Sequence, residues 1–234
     1  MTDADHLVTL SHLQNHLKSL SQYDLIPANH QKYLMDLKKG GFEPKVIYDI
    51  GSCVLYWTHA ARKLWPDATY IFFDAFQPAE FLYIEDGSLY NVGALSNADG
   101  NVVNFYQNDY FPGGNSYYKE IGGFDPEKYF PENKFIEMKT QTLDSVVKNR
   151  GFPLPDFIKM DVQGSEVDIL KGGLETIKHA KRMIVELQHS NYNRGAPVVT
   201  ESLPFIESLG WKCDSPAFQN NGPDADYSFV NLQN

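Results

Sequence analysis

Four carboxylates stand where short apolar runs stop. Asp49 closes KVIYD, Asp74 closes YIFFD, Asp161 closes FIKMD, and Glu186 lies near the end of RMIVELQ. A carboxylate that follows a buried strand is either neutralised by its surroundings or turned toward a ligand, because an unpaired charge in the interior is costly. In sheets of parallel strands, ligands gather beyond the carboxyl ends of the strands, at the point where strand order reverses. If the strand of Asp49 lies between those of Asp74 and Asp161, the two outer acids stand ~10 Å apart at ~4.8 Å per strand. That span suits an extended, nucleoside-sized molecule. A single acid of this kind is equally well explained as the cap of the following helix, so it is the set that points to a site.

The chemistry around these acids narrows the ligand. A dinucleotide needs G-x-G-x-x-G, so that backbone amides can approach a pyrophosphate. The turn here is DIGSCVLYW, with a single glycine, Gly51, and an acid just before it. That nearly excludes a dinucleotide-dependent sugar-modifying enzyme. Clustered carboxylates repel a pyrophosphate and attract a cation. S-adenosylmethionine has no phosphate and carries a sulfonium and an ammonium, and Asp74 is placed to accept bonds from both ribose hydroxyls. If the methyl goes to an alcohol, as the family resemblance given below implies, the oxygen must be held roughly 3 Å from the methyl group and its proton removed as the bond forms. Asp161, Glu186 and His189 are the ionisable groups for that task, and His189 titrates nearest neutral pH. In QHSNYNRG, His189 has a plainer reading as a loop histidine. Asp161 and Glu186 are alternatively two oxygen ligands for a divalent ion that acidifies the hydroxyl, magnesium being favoured by such donors.

These residues need elements to position them. Leu7, Leu10, Leu13, Leu17 and Leu20 recur at helical spacing, and a second helical pattern with Tyr33, Leu34 and Leu37 runs from Pro27 to Gly40-Gly41. Together they predict an N-terminal helical extension over residues 1–44. His12 and His16, four apart on the first helix, read as part of a solvated face. From Lys45 to residue 234, strand and helix patterns alternate. KVIYDIG, ATYIFFDA, LYNVGALS, NVVNFYQ, PDFIKMD, AKRMIVELQ and DYSFVNL read as strands. VLYWTHAARKLW, TLDSVVKNRG, SEVDILKG and TESLPFIESLG read as helices, the third capped by Ser165. The alternation predicts a doubly wound α/β domain with a mostly parallel sheet. The segment Phe105–Phe135 breaks the rhythm. It is dense in Tyr, Phe, Gly, Asn and Pro, and reads as an ordered cover over the site. Within it, Asn115-Ser116 point to the adenine or the acceptor.

Composition sets outer bounds. The 234 residues carry a net charge of -10, which excludes a phosphate-backbone partner. Two cysteines, Cys53 and Cys213, show no metal spacing, so a reducing, cytoplasmic setting is expected. No apolar run is long enough to span a membrane.

The run TLDSVV, then PDFIKMDVQGSEVDILKGG, then RMIVELQ closely resembles the C-terminal signature of the FkbM-type S-adenosylmethionine-dependent methyltransferases. VIYDIGS, YIFFDA and NVGALSNADGNVVNFY resemble the upstream segments of that family, so the likeness covers about Lys45 to Asn234. It implies a class I methyltransferase (Rossmann-like) fold with a seven-stranded sheet, and usually O-methylation, often of a sugar or glycan hydroxyl. By the same resemblance, Asp49, Gly51 and Ser52 line the methionine end, and Asp74 with Ala75 the ribose. Asp161 and Glu186 lie near the transferred methyl. Three positions depart from the family pattern. Cys53 stands for the usual Asn, Leu55 for a second glycine, and Gln163 for a Glu. A leucine at a glycine position either crowds the cofactor or alters the turn. These departures are what support the alternative of a non-catalytic methyltransferase-like interaction module.

Overall fold

The computed structural model describes residues 3–22 and 26–233. In chain order the helices and strands are α1 (Asp3–Ser21), α2 (Ala28–Lys39), β1 (Val46–Ile50), α3 (Tyr56–Leu64), β2 (Thr69–Asp74), α4 (Glu80–Asp86), β3 (Leu89–Val92), β4 (Val102–Phe105), α5 (Pro126–Tyr129), β5 (Ile136–Lys139) and α6 (Leu143–Arg150). There follow β6 (Phe157–Met160), α7 (Glu166–Gly172), α8 (Leu174–Ile177), β7 (Arg182–Gln188), α9 (Val199–Ser208), β8 (Trp211–Asn220) and β9 (Asp224–Asn231).

The strands form a seven-stranded sheet in the order β3-β2-β1-β6-β7-β9-β8. Pairing is parallel from β3 through β7, and β9 then runs antiparallel to both β7 and β8. This is the class I methyltransferase, Rossmann-like α/β architecture. The central strands are apolar on both faces because helices cover both. Ile47, Phe72, Phe157 and Ile184 pack on one side, and Tyr48, Ile71, Ile158 and Met183 on the other. Strand order reverses between β1 and β6, so a crevice opens beyond their carboxyl ends.

The N-terminal helices share the first of these packing layers. Leu17 of α1 and Leu34 of α2 are fully buried beside Ile47 and Phe72. Leu13 and Leu20 are half-buried and Leu10 is exposed, while the side chain of Leu7 lies outside the described residues. His16 Nε2 donates to the Tyr110 carbonyl at 3.0 Å, so it also touches the aromatic segment while staying partly exposed, and His12 is exposed as expected.

Three local expectations need correction. NVVNFYQ is not in the main sheet; β4 pairs with β5 in a separate antiparallel ribbon. The seventh sheet strand is β8, WKCDSPAFQN, which carries a proline and register shifts and lies at the sheet edge, where both are tolerated. Ser165 is the residue before α7 but its side chain makes no cap; its hydroxyl donates to the Val162 carbonyl at 3.2 Å. Glu166, the first residue of α7, instead ties down the turn before the helix, its Oε1 accepting from the Val162 and Gly164 amides at 3.0 and 3.3 Å. Among the described residues, no helix is long and apolar enough to cross a membrane.

Candidate active site

A cavity of about 450 Å³ opens beyond the carboxyl ends of the central strands, within the about 300–1,000 Å³ of small-molecule sites. Its floor at one end is the turn after β1. Gly51 there has a φ of +81°, and a Cβ at that position would lie 1.8 Å from the Asp161 carbonyl oxygen. Only glycine lets the turn after β1 approach the end of β6 this closely. Ser52 ties the turn to both strands, its hydroxyl donating to the Asp49 carbonyl at 2.6 Å and accepting from the Phe73 amide at 3.2 Å. Both Asp74 oxygens accept backbone amides, from Cys53 at 2.6 Å and from Phe76 at 2.8 Å. Burial raises the Asp74 carboxyl above its usual range, and these amides and Lys159 partly offset the rise. Gly51, Ser52, Cys53, Asp74 and Ala75 all line the cavity.

The departures from the glycine-rich pattern sit where the backbone is left-handed. Cys53 has φ +46° and Leu55 φ +69°, a region in which a side chain with a Cβ costs about 1 kcal/mol. The Leu55 side chain is 2% exposed and packs with Val54, Trp57 and Phe76. It belongs to the core and not to the cavity wall.

Asp49 lies inside β1, not at its end, and is fully buried behind the wall. Its Oδ2 accepts from the Thr58 hydroxyl at 2.6 Å, while Oδ1 has no hydrogen bond and faces the Lys159 ammonium at 3.6 Å. It thus anchors α3 and Lys159 and does not line the cavity. Lys159 also donates to the Gly51 carbonyl at 3.1 Å and lies 3.4 Å from Asp161. Burial would lower its pKa, but Asp161, Asp49, Glu186 and Asp226 outweigh it and hold the ammonium charged.

The other end of the cavity is acidic. Asp161 and Glu186 are joined by a hydrogen bond, and the two are driven apart. For Asp161, burial is outweighed by Lys159 and by bonds from Glu186 and Gln163, so its pKa falls. Burial, then the charges of Asp161, Asp224 and Asp226, pushes Glu186 well above the carboxylate range. The directions of the two shifts favour charge on Asp161, which has 35% of its side chain exposed, over charge on Glu186, which is also hydrogen-bonded to Asp224. The Gln163 amide nitrogen donates to both, at 3.0 Å to Asp161 and 2.6 Å to Glu186.

That bridging amide bears on a divalent ion. It stands between the two carboxylates where a cation would have to be, and no group of three or more metal-ligating side chains occurs among the described residues. The donor set here does not fit magnesium.

His189 is not brought to the others. It follows β7 one position beyond Gln188, and alternation along the strand turns it from the face that carries Glu186. It is exposed, absent from the cavity wall, and bonded to the Tyr227 hydroxyl at 2.9 Å. Residues unremarked in the sequence take its place. Asp224 and Asp226 open β9 on one face, and His30 arrives from α2. The alternating acids in DADYSF were the available signal; His30 had none. The aromatic segment supplies Phe105, Asn115, Ser116 and Tyr117 to the wall. The Asn115 oxygen accepts from the Asn108 amide at 2.7 Å, and its amide nitrogen is buried without a partner.

Among the comparisons with known proteins, one shows the family. A model described as the methyltransferase FkbM domain matches residues 49–213. Among solved structures, the O-methyltransferase TomG of Streptomyces achromogenes, in complex with S-adenosylmethionine, is 12% identical with a TM-score of 0.49, covering 95% of this chain and 89% of that one. A precorrin-6y C5,15-methyltransferase of Geobacter metallireducens is 10% identical with a TM-score of 0.46, covering 86% and 87%. The ribosomal protein L11 methylase of Lactobacillus delbrueckii is 10% identical with a TM-score of 0.45, covering 88% and 80%. No curated protein matches the chain significantly.

Proposed function

The chain belongs to the FkbM methyltransferase family, and from that premise we propose that it methylates a hydroxyl oxygen of a sugar or glycan, with S-adenosylmethionine as donor. The observation that carries this reading is one cavity with two unlike ends. At one end are the Gly51 turn and the Asp74 carboxylate; at the other are the hydrogen-bonded carboxyl groups of Asp161 and Glu186. Gly51, Ser52, Asp74 and Ala75 would hold the donor, with Asp74 accepting from the ribose hydroxyls through lone pairs left free by the Cys53 and Phe76 amides. When bound, the donor would supply an electrophilic methyl group and leave as the neutral thioether S-adenosylhomocysteine once its S–CH3 bond is broken.

This chain's residues supply the rest. Asp161, ionised and open to the cavity, takes the hydroxyl proton as the carbon–oxygen bond forms. Glu186 and Gln163 hold it in place by hydrogen bonds, and Lys159 keeps it anionic beforehand. Asp161 also offers negative charge to a sulfonium, which favours donor binding. Phe105, Trp57 and the half-buried Tyr117 line the cavity and would offer flat apolar faces to a sugar ring. The thiols of Cys53 and Cys213 are free, which supports a reducing, cytoplasmic setting.

The test is calorimetric titration with S-adenosylmethionine and S-adenosylhomocysteine, with magnesium and with a chelator. Micromolar binding, about 8 kcal/mol, unchanged between the two conditions, is expected. No binding in either condition would leave the non-catalytic module as the better account.

A further inference from the structure

Resting on that methyltransfer reading, we infer that His30 is a positioning residue of the reaction: it locks the Trp57 indole and the Asp226 carboxylate into one wall that orients the acceptor ring. All three side chains line the cavity. Trp57 is the second residue of α3, the helix that follows the Gly51 turn, and Asp226 lies opposite Glu186 in register. His30 therefore ties the donor end of the cavity to the acidic end. His30 and Asp226, 196 positions apart, both fall outside residues 49–213, the segment matched to the family. A wall closed by the two ends of the chain is particular to this protein, and that is where selection of its acceptor belongs.

The inner face of α2 seats the imidazole. His30 and Leu34, one helical turn apart, are the buried residues of that helix, and Phe218 of β8 meets the His30 ring edge-on at 5.3 Å. In that seat both ring nitrogens are engaged. An indole N–H can only donate, so His30 Nε2 offers its lone pair to Trp57 at 2.7 Å. The ring hydrogen is then on Nδ1, which donates to Asp226 Oδ2 at 2.8 Å. The two partners fix the tautomer. With Nε2 occupied by the indole, His30 does not take the acceptor's proton; it orients its neighbours.

An apolar side chain could fill the same seat, but it would leave the indole N–H of Trp57, a residue 5% exposed, without an acceptor. It would also free Asp226 from its donor. A carboxylate has about four lone-pair sites and His30 takes one, so Asp226 keeps capacity for sugar hydroxyls while Trp57 presents a flat face at a fixed angle. Such placement matters, because a reacting group misplaced by about 1 Å costs about a hundredfold in rate.

The experiment compares His30→Leu, which removes both hydrogen bonds, with His30→Gln, whose amide can accept from the indole and donate to the carboxylate. Transfer of labelled methyl from S-adenosylmethionine to the methyl glycosides of glucose, galactose and mannose is measured at varied donor and acceptor. Calorimetric titration of S-adenosylhomocysteine and urea unfolding accompany it. His30→Leu is expected to lower kcat/KM for the best glycoside about a hundredfold, with the KM for donor and the affinity for S-adenosylhomocysteine within about twofold. His30→Gln should recover at least about tenfold of that loss. Unchanged acceptor kinetics in His30→Leu, a matching loss of donor affinity, or no recovery in a His30→Gln protein with an unaltered urea midpoint would each overturn the proposal. Trp57→Phe keeps a flat ring without the N–H and tests the same link should His30→Leu not fold; kcat/KM for the glycoside unchanged in that variant would overturn it too. Failure of the unaltered protein to bind S-adenosylhomocysteine, or to methylate any of the glycosides, would overturn the methyltransfer reading beneath it, and both are read before any variant is made.

Discussion

The two ends of the cavity are built on opposite principles. At the Gly51–Asp74 end, nearly every polar group is held by backbone: amides on Asp74, strand carbonyls on Gly51 and Ser52. At the Asp161–Asp226 end, side chains hold side chains, and carboxylates outnumber cations. The first arrangement is rigid and steric, the second electrostatic and tunable by protonation. A surface that must fit one cofactor can be fixed by main chain. A surface that must accept and release a proton needs groups whose charge can change.

Variants at the two ends should therefore fail in different ways. Asp161→Asn should reduce methyl transfer about a thousandfold while changing the urea midpoint little, as measured by single-turnover rates beside equilibrium unfolding. A variant that kept full turnover would remove Asp161 from the proton path. Gly51→Ala should behave inversely. Its Cβ meets main chain at 1.8 Å in a left-handed turn, so a loss of about 4 kcal/mol of folding stability is expected. A merely local loss of S-adenosylhomocysteine binding with unchanged stability would break the distinction.

Behind the acidic end, Glu166 gives the comparison a pH axis. Burial raises its carboxyl from 4.5 to about 7, against the Val162 and Gly164 amides. A group raised in the folded state stabilises the fold fully below the unfolded value and loses that contribution as pH rises through the folded one. Stability should thus fall between about pH 4.5 and pH 7, by about 3 kcal/mol for this group. Both backbone bonds end on Oε1, which the amide oxygen of Glu166→Gln can supply. That variant should show a flatter pH profile in urea unfolding near pH 5 and near pH 8. The smallest effect is expected at the rigid end. Cys53→Asn places a residue tolerant of positive φ at +46° and should gain about 0.5 kcal/mol, read from the same unfolding curves. A loss instead would mean that the half-buried thiol contributes more than the turn costs.

Much of the frame was legible in the chain. The runs VIYDI, YIFFD and FIKM are apolar apart from Asp49, Asp74 and Lys159 because both faces of a central parallel strand are covered, and that pattern survives without any knowledge of partners. Asp74 and Asp161 were likewise visible as charges at the ends of such runs. Strand β8 was not, because an edge strand with a proline and bulges needs no apolar pattern. His189 misled because residue type suggested a base, whereas strand alternation set Gln188 inward and His189 outward. Ser165 misled because a residue of capping type stands before α7 while its hydroxyl turns back to the Val162 carbonyl.

The sequence by itself determined the alternation of strands and helices, the glycine at the tight turn and the carboxylates at strand ends, since these depend on neighbours within a few residues. Tertiary structure alone decided that Asp49 is sealed behind the wall and that Gln163 bridges two acids. It likewise decided that burial beside other acids raises the Glu186 carboxyl and that α2 brings His30 to Asp226 from nearly 200 positions away along the chain. Protonation and pairing follow from burial and from distances between groups remote in sequence, and those distances exist only once the sheet has closed around them.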